Sequence, residues 1–425
     1  MGKINHFDPS EYIRGVQQIL ISDKKKIGFL FGAGSSLAKK HSSSLVVPAI
    51  GKMTEEIVEE LSNGNKKNEN VFSELKEELG EKFNIETLLS NLELKLSFIS
   101  KAKLNGINKE ELATLIQNIK KSIHKKVSVH ISDGEIVSKE IIGNLVQADF
   151  SKWIGQADRK HPVEIFTTNY DFLFELGLEH NDISYYDGFC GSLRPFFNPH
   201  TVEDLRFLPN QTKLWKIHGS LGWSFDNENQ KILRSISNDE DFLIYPSTLK
   251  YKDSKKQPYE SLLDRLSNFI KQDDSVLITC GYSWGDEHIN SRILSALKTN
   301  TTSHVLALFY DKYDKITIES NISKIGLQTS KISVYATSHA IIGCKYGKWR
   351  LKSEPNNDDT INVNQYFDED APILESEELN KEYKGEEKWT GEGEFKLSDF
   401  GNLVSFLQIM LNEDDIIKLS KNGKK

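Results

Sequence analysis

Cysteine is scarce in this sequence: Cys190, Cys280 and Cys344 are the only three in 425 residues, and they lie far apart. A disulfide framework needs paired cysteines, and a structural zinc ribbon needs closely spaced ones. The cysteine content therefore argues against both kinds of site. It favours a reducing compartment, so we expect a cytoplasmic protein.

Long apolar runs are also missing, and none approaches the roughly 20 residues that a membrane-spanning helix needs. The first residues, MGKINHFDPSEYIRG, lack the apolar segment of a signal peptide. Position six is His6, where an N-myristoylation signal has Ser or Thr. We therefore expect neither a membrane span nor a lipid anchor.

Positive charge is not concentrated anywhere in the chain. The net charge is −8, but residues 354–394 alone hold 14 acidic and 3 basic residues, so the rest of the chain is slightly basic. No stripe of Lys and Arg interleaved with aromatic residues stands out, which argues against direct binding of nucleic acid.

One glycine-rich stretch follows an apolar run. Residues 27–31 (IGFLF) predict a buried strand, 32–36 (GAGSS) a tight turn, and 37–40 the start of a helix. This order is typical of loops that hold a phosphate, because glycine lets the backbone approach a pyrophosphate closely. The sequence is also compatible with a glycine loop that binds no ligand, since Leu37 stands where the dinucleotide fingerprint has its third glycine. A Walker A loop fits worse, because Met53 follows Gly51-Lys52.

Further apolar runs alternate with amphipathic segments, such as 259–272 and 288–300. This alternation predicts an α/β fold with a Rossmann-like, mainly parallel sheet and helices on both faces. Asp8 is a candidate N-cap for a helix over 11–21, with Pro9 at its first position. The predicted strands are 163–168, 213–217, 275–280, 304–310 and 332–337.

Residues 53–160 show helical spacing throughout and predict a helical insertion, whose charged faces are either solvated or bind a partner. Residues 353–394 predict an acidic linker, and 395–425 a C-terminal extension with a helix that Ser398 caps. The sheet domain is then divided between residues 1–52 and 161–352.

Three more polar turns follow predicted strands. They are Thr167 to Asp171 (TTNYD), Lys216 to Ser220 (KIHGS) and Gly281 to Ser283 (GYS). The carboxyl ends of parallel strands meet at one edge of a sheet, which is where ligands bind in such folds. Asp286 and His288, just beyond, predict a helix cap more readily than a metal pair.

GAGSS, TTNYD, KIHGS and GYS, in this order over residues 25–310, resemble the sirtuin motifs GAGxS, TQNxD, HG and GTS. The helical insertion and the TTNYD form are similar to sirtuin-like proteins of bacterial anti-phage defence, several of which are encoded beside a HerA-type hexameric ATPase. The resemblance implies NAD+ as substrate. The residues that it assigns to NAD+ binding are Gly32, Ala33, Gly34, Ser35, Thr168, Asn169, Gly281 and Ser283.

The resemblance also implies catalytic roles. Asn169 would position the attacking water, Asp171 would contact the nicotinamide carboxamide, and His218 would be the general base. Cleaving the bond to a cationic nicotinamide needs orientation and a base that titrates near neutrality, and histidine suits that task. A capped turn is the alternative for Asn169 and Asp171.

The sequence departs from the sirtuin deacetylases at several points. No four-cysteine zinc module follows His218, so we expect no zinc and no metal site. Thr168 replaces the motif's glutamine, and no Asp-Phe-Arg segment follows the glycine loop. We therefore expect an NAD+ hydrolase that depletes NAD+ in anti-phage defence. The alternatives are an NAD-dependent protein deacylase or ADP-ribosyltransferase, and a non-catalytic sensor of NAD or ADP-ribose. Kinship further suggests a HerA-type partner. Because an unregulated NAD+ hydrolase would kill its host, we also expect a homo-oligomer.

Overall fold

The computed structural model describes residues 5–42, 44–100, 103–157, 159–208, 210–226, 228–235, 242–244, 257–311, 319–356, 361–369 and 389–410. A large, mostly parallel sheet flanked by helices confirms the predicted α/β class. The chain divides into two compact units. The first comprises Met1–Ala38, Asp149–Ile165 and Ser267–Lys425, and the second Lys39–Ala148 and Phe166–Leu266.

The sheet of the first unit contains the glycine-loop strand. Its neighbours run parallel from Lys26–Phe31 through Ser275–Cys280 and His304–Phe309 to Ile332–Ala336. These strands are almost wholly buried, which explains their near-continuous apolar sequences. Beyond them lie His339–Ile342, which is antiparallel to both its neighbours, then Lys345–Trp349 and Asn5–Phe7.

Helices of the first unit pack around this sheet. The predicted cap at Asp8 is confirmed, because its carboxylate accepts a 2.9 Å hydrogen bond from the Ser10 amide at the start of Pro9–Ile21. Along the chain, Val146–Gln156 and Tyr259–Ile270 run from the second unit into the first. The remaining helical segments are Ala33–Leu37, Glu287–Thr299, Asn321–Gln328, 400–410 and the 3₁₀ turns Val363–Gln365 and Lys396–Ser398.

The second unit holds most of the region that the sequence assigns to a helical insertion. Its apolar residues form one core, to which Ile57, Leu75, Leu88 and Ile119 each contribute a fully buried side chain. The helices are Ile50–Ser62, Lys66–Leu79, Ile85–Phe98, Lys109–Val127, Lys139–Gly143, Leu173–His180 and Pro199–Glu203, with 3₁₀ turns Gly80–Lys82 and Leu205–Phe207.

Strands of the second unit are short. Tyr185–Tyr186 pairs parallel with Thr212–Lys216. Glu164–Thr167 runs from the first unit into the second and is buried throughout. The antiparallel strands are Phe189–Cys190, Phe196–Phe197, Lys231–Arg234 and Trp223–Asp226 in one sheet, and Gly219–Leu221 with Phe242–Ile244 in another.

Two helix predictions need correction. The first helix after the glycine stretch is Ala33–Leu37, so it contains the predicted turn and ends where we expected it to begin. At 396–411, Ser398 does not cap the helix. Its hydroxyl instead donates to the Phe395 carbonyl, while the Asp399 carboxylate accepts from the Asn402 amide.

The region 53–160 is not helical throughout. Ile131–Ser132 and Glu135–Ile136 form a small antiparallel hairpin. Asp133 and Gly134 between them both have positive φ, which is the geometry of a two-residue hairpin turn. The Asp-Gly pair is a local sequence signal for such a turn, but the strands on either side of it are too short to show alternating apolar and polar residues.

The predicted acidic linker includes packed structure. Tyr366 and Phe367 are buried, and Phe367–Asp368 pairs with Glu394–Phe395. The remainder of that segment, 357–360 and 370–388, and residues 411–425 of the C-terminal extension lie outside the described residues.

Candidate functional site

In the first unit, the glycine loop packs against Gly281. Phe31 and Cys280 pair across the sheet, so both loops leave their strands at the same level. The Gly34 amide donates to the Gly281 carbonyl at 3.0 Å. A Cβ on Gly32 would lie 2.6 Å from that carbonyl oxygen. The two loops therefore pack backbone against backbone, and glycine leaves the room for this contact. Sequence reasoning did not anticipate this role of the glycines.

The loop also uses its own polar groups. Ser35 is fully buried, and both its amide and its hydroxyl donate to the Gly32 carbonyl, at 2.9 and 2.8 Å. The backbone amides of Gly34 and Ser35, two residues that the resemblance assigns to NAD+ binding, are thus hydrogen-bonded within the protein. Ala33 is exposed at the start of the short helix.

Ser283 is exposed and sits between two buried aromatic residues. Its hydroxyl accepts from the Gly285 amide at 3.3 Å. Trp284 adopts a positive φ and is held by Asn290, whose amide group donates to its carbonyl at 2.8 Å. Asp286 caps the next helix by accepting from the His288 amide at 2.9 Å, as the sequence predicts. The buried neighbours thus fix where Ser283 reaches the surface.

In the second unit, the TTNYD turn carries two candidate catalytic residues. Asn169 is 7% exposed, and its backbone N–H donates to the Thr167 hydroxyl at 3.0 Å. Asp171 is also buried, and its carboxylate accepts from the Leu173 amide at 3.1 Å. That bond is the capping interaction which the sequence left as an alternative. Thr168, which precedes Asn169 in the chain, is half-buried.

His218 lies in the second unit as well and is half-buried. The preceding residue, Ile217, donates its amide to the Thr167 carbonyl at 2.9 Å. Leu221, which follows the HGS segment, donates to the Tyr170 carbonyl at 3.0 Å. Two backbone hydrogen bonds therefore tie the His218 segment to the turn that carries Asn169.

A buried ion pair lies beside this turn, and sequence reasoning missed it. Lys216 donates to the Glu175 carboxylate at 2.8 Å, and their side chains are 3% and 14% exposed. Burial raises the pKa of Glu175, while the neighbouring ammonium of Lys216 opposes that shift. A lysine at the end of an apolar strand does not by itself reveal such a pair, although an unpaired buried ammonium is costly.

The helical region of the second unit also touches the turn. The Tyr170 hydroxyl donates to the Glu86 carboxylate at 3.0 Å. The His130 ring packs edge-on against Phe172, with ring centres 4.7 Å apart. Burial and the nearby Lys216 lower the pKa of His130 to about 4, so the ring is neutral at physiological pH. Neither ring nitrogen of His130 has a hydrogen-bond partner among the described residues.

The second unit contains residue types that a hydrolytic site can use. A half-buried histidine can take a proton, and a buried asparagine on a braced turn can orient a small polar molecule. Residues 163–330 match the SIR2-like domain. This match supports a sirtuin-like family and NAD-related activity in general. The SIR2-like domain covers TTNYD, HGS and GYS, whereas the glycine loop lies before it. Among the curated proteins, none matches this chain.

Metal and thiol chemistry have few candidate groups. In the ranges that the structure describes, no three His, Cys, Asp or Glu residues are grouped to hold a metal ion. Burial raises the pKa of the Cys280 thiol, which disfavours the reactive thiolate.

Within the same ranges, none of the helices combines the length and apolar character that crossing a membrane requires.

Proposed function

We propose that this protein is an NAD+ hydrolase that produces nicotinamide and ADP-ribose. The observation that carries the proposal is the backbone bond from Ile217 to Thr167, which joins the His218 segment to the Asn169 turn. The match to the SIR2-like domain supports NAD+ as the substrate class.

In this proposal the bond between nicotinamide and ribose breaks with its electron pair leaving on nicotinamide. Asn169 orients the attacking water, His218 accepts its proton, and Asp171 contacts the carboxamide. Thr168, the residue before Asn169, is proposed to contribute to NAD+ binding. The transition state resembles an oxocarbenium ion, so placement of the water contributes more than covalent catalysis.

We also propose, from the resemblance, that residues of the first unit bind NAD+. Ala33 is the best candidate for a pyrophosphate contact, because the amides of Gly34 and Ser35 already donate within the protein. Gly32 supports the turn by its close approach to Gly281, and Ser283 offers an exposed hydroxyl to a ribose or phosphate oxygen.

The wider role rests on the resemblance alone. We propose that NAD+ depletion serves anti-phage defence in the cytoplasm, that the chain forms a homo-oligomer, and that a HerA-type ATPase is its partner. A free NADase would harm its own cell, which is the reason to expect control by assembly.

The test is to incubate the purified protein with NAD+ and to quantify nicotinamide and ADP-ribose by chromatography. His218→Ala is expected to lower kcat by about 10²–10⁴-fold, the usual contribution of a general base, and Asn169→Ala by about 10²-fold, the effect of a misplaced water. His180→Ala, which alters an exposed histidine of the same unit, is the matched control.

Other outcomes would identify the alternatives. Nicotinamide release that requires an acylated peptide or a protein acceptor would indicate a deacylase or an ADP-ribosyltransferase. NAD+ binding by calorimetry without release, alone and with the partner ATPase, would indicate a sensor and refute hydrolysis.

A further inference from the structure

Lys216 is buried at the end of strand Thr212–Lys216, two residues before His218. A lysine in such a position must have its charge and its donors satisfied, because an unpaired buried ammonium is strongly unfavourable. The partners of Lys216 therefore show what its side chain does in this fold.

An ammonium group has three N–H donors. Lys216 directs them to the Tyr170 carbonyl at 3.3 Å, the Asp171 carbonyl and the Glu175 carboxylate at 2.8 Å. Its Nζ also lies 4.8 Å from the centre of the Phe172 ring. Two of the three acceptors are thus backbone oxygens of the TTNYD turn.

The backbone bonds from Ile217 to Thr167 and from Leu221 to Tyr170 join the same two segments. The ammonium adds side-chain hydrogen bonds from Lys216 to Tyr170 and Asp171 of the turn. Apolar side chains of similar size could stabilise the fold as well as a buried ion pair does. Unlike an apolar side chain, Lys216 holds three particular oxygen atoms in place, because each of them accepts one of its N–H donors.

We propose that Lys216 is a positioning residue for the hydrolysis, because it sets the place of the Asn169 turn relative to His218. Glu175 is its counterion. This inference rests on the proposed NAD+ hydrolase activity and names the group that aligns its nucleophile.

The alignment can be read from the products. In hydrolysis the ribose–nicotinamide bond breaks, the water oxygen forms the new bond to ribose, and its proton passes to His218. Methanol can replace water with the same balance and gives the methyl glycoside of ADP-ribose. The ratio of the two products depends on how the site places the nucleophile and not on how much enzyme is folded.

The variant that tests the proposal is Lys216→Met combined with Glu175→Gln, so that no buried carboxylate is left unpaired. Lys126→Met with Glu56→Gln is the matched control. It removes another Lys–Glu pair of the second unit, with a 2.7 Å contact between helices Lys109–Val127 and Ile50–Ser62.

The Lys216 variant is expected to change the ratio of methyl glycoside to ADP-ribose at least threefold, and to lower kcat by about 10²-fold, the effect of a misplacement near 1 Å. The KM for NAD+ should change less than kcat. A product ratio equal to that of the wild type and of the control would overturn the proposal.

Amide hydrogen exchange gives a second readout that needs no turnover. The amides of Ile217 and Leu221 are expected to exchange at least tenfold faster in the Lys216 variant and at the wild-type rate in the control. Unchanged exchange in both variants refutes the role of Lys216. If the wild type releases no nicotinamide, the proposed function fails, and exchange alone then decides whether Lys216 holds the turn.

Discussion

Gly34 packs so closely on Gly281 that a Cβ added to Gly34 would lie 2.6 Å from the Cα of Gly281. The approach is reciprocal, since a Cβ on Gly281 would lie 2.6 Å from the Ser35 amide nitrogen, and Gly281 itself has a φ of +64°. Two glycine turns that are far apart in the sequence are thus mutually dependent within the first unit.

This contact makes Gly34→Ala a sharp test of the first unit. The substitution is expected to lower the free energy of unfolding by about 1–3 kcal/mol, because the new methyl group meets backbone that cannot move aside easily. Urea denaturation measures the change.

Gly15→Ala is the matched control for that measurement. Gly15 lies in helix Pro9–Ile21, and a Cβ added there would have nothing within 4 Å, so alanine should stabilise the helix by about 0.5–1 kcal/mol. Equal effects of the two substitutions would contradict the contact between the glycine turns.

His130 is expected to make stability depend on pH. Burial, Lys216 and His124 lower its pKa to about 4. The unfolded chain, with a histidine pKa near 6.5, therefore binds more protons between these values. Stability from this residue is present above pH 6.5 and is lost as the pH falls toward 4, with a loss of about 2 kcal/mol between pH 7 and pH 5.

His130→Leu should remove this contribution while keeping the contact with Phe172. Urea denaturation at pH 7 and pH 5 measures it for both proteins. Since the ring nitrogens lack partners in the described structure, we expect little loss of stability at pH 7. The same pH slope in the variant and the wild type would show that His130 is not the titrating group.

Asp311 and His339 are buried in the first unit with their side chains 3.2 Å apart, and Asp311 also accepts from the hydroxyl of the exposed Ser338. Burial acts to raise the pKa of Asp311, but hydrogen bonds from His339 and Ser338 outweigh it, so the pKa lies below its usual value. This contribution to stability is present above the unfolded pKa of about 3.9 and is lost as the pH falls through the folded pKa.

Asp311→Asn is therefore expected to lower the free energy of unfolding at pH 7 by about 1.5–3 kcal/mol, the range for hydrogen bonds to a charged group. Asp273→Asn, at an exposed position of the same unit, is the control. The difference between the two variants should shrink as the pH falls, and a difference that does not change with pH would contradict the assignment.

Asn290 links two aromatic residues of the GYS turn. It accepts from the Tyr282 hydroxyl at 3.0 Å and donates to the Trp284 carbonyl at 2.8 Å. Asn290→Leu should cost about 1–3 kcal/mol, because buried polar groups lose their partner. A double-mutant cycle with Tyr282→Phe should give a coupling of at least about 0.5 kcal/mol, whereas strict additivity would argue against the hydrogen bond.

Local sequence was a good guide to the secondary structure near the site. Strand Ser275–Cys280 agrees with its apolar run at both ends, and Asp8 caps the first helix as expected. Such features depend on neighbours within a few residues. The hairpin around Asp133-Gly134 was missed, although its signal is also local.

The positions of the candidate residues relative to the strands could be predicted, but the contacts that hold them could not. The sequence places Asn169 and His218 just after buried strands, and the structure joins their segments through Ile217 and Thr167. It could not reveal that Lys216 bonds to the turn and to Glu175, because that pair spans 41 positions in the chain. A charged residue at a strand end has no local feature that distinguishes a solvated side chain from a buried one.

By itself, the sequence determined the alternation of buried strands and amphipathic helices, and the order of the polar turns along it. Tertiary structure alone decided which backbones approach closely, as at Gly34 and Gly281, and which charge is buried, as at Lys216. The physical reason is the distance along the chain over which each interaction acts. Hydrophobic periodicity and caps act over a few residues, whereas close packing and the pairing of a buried charge depend on segments brought together by the fold.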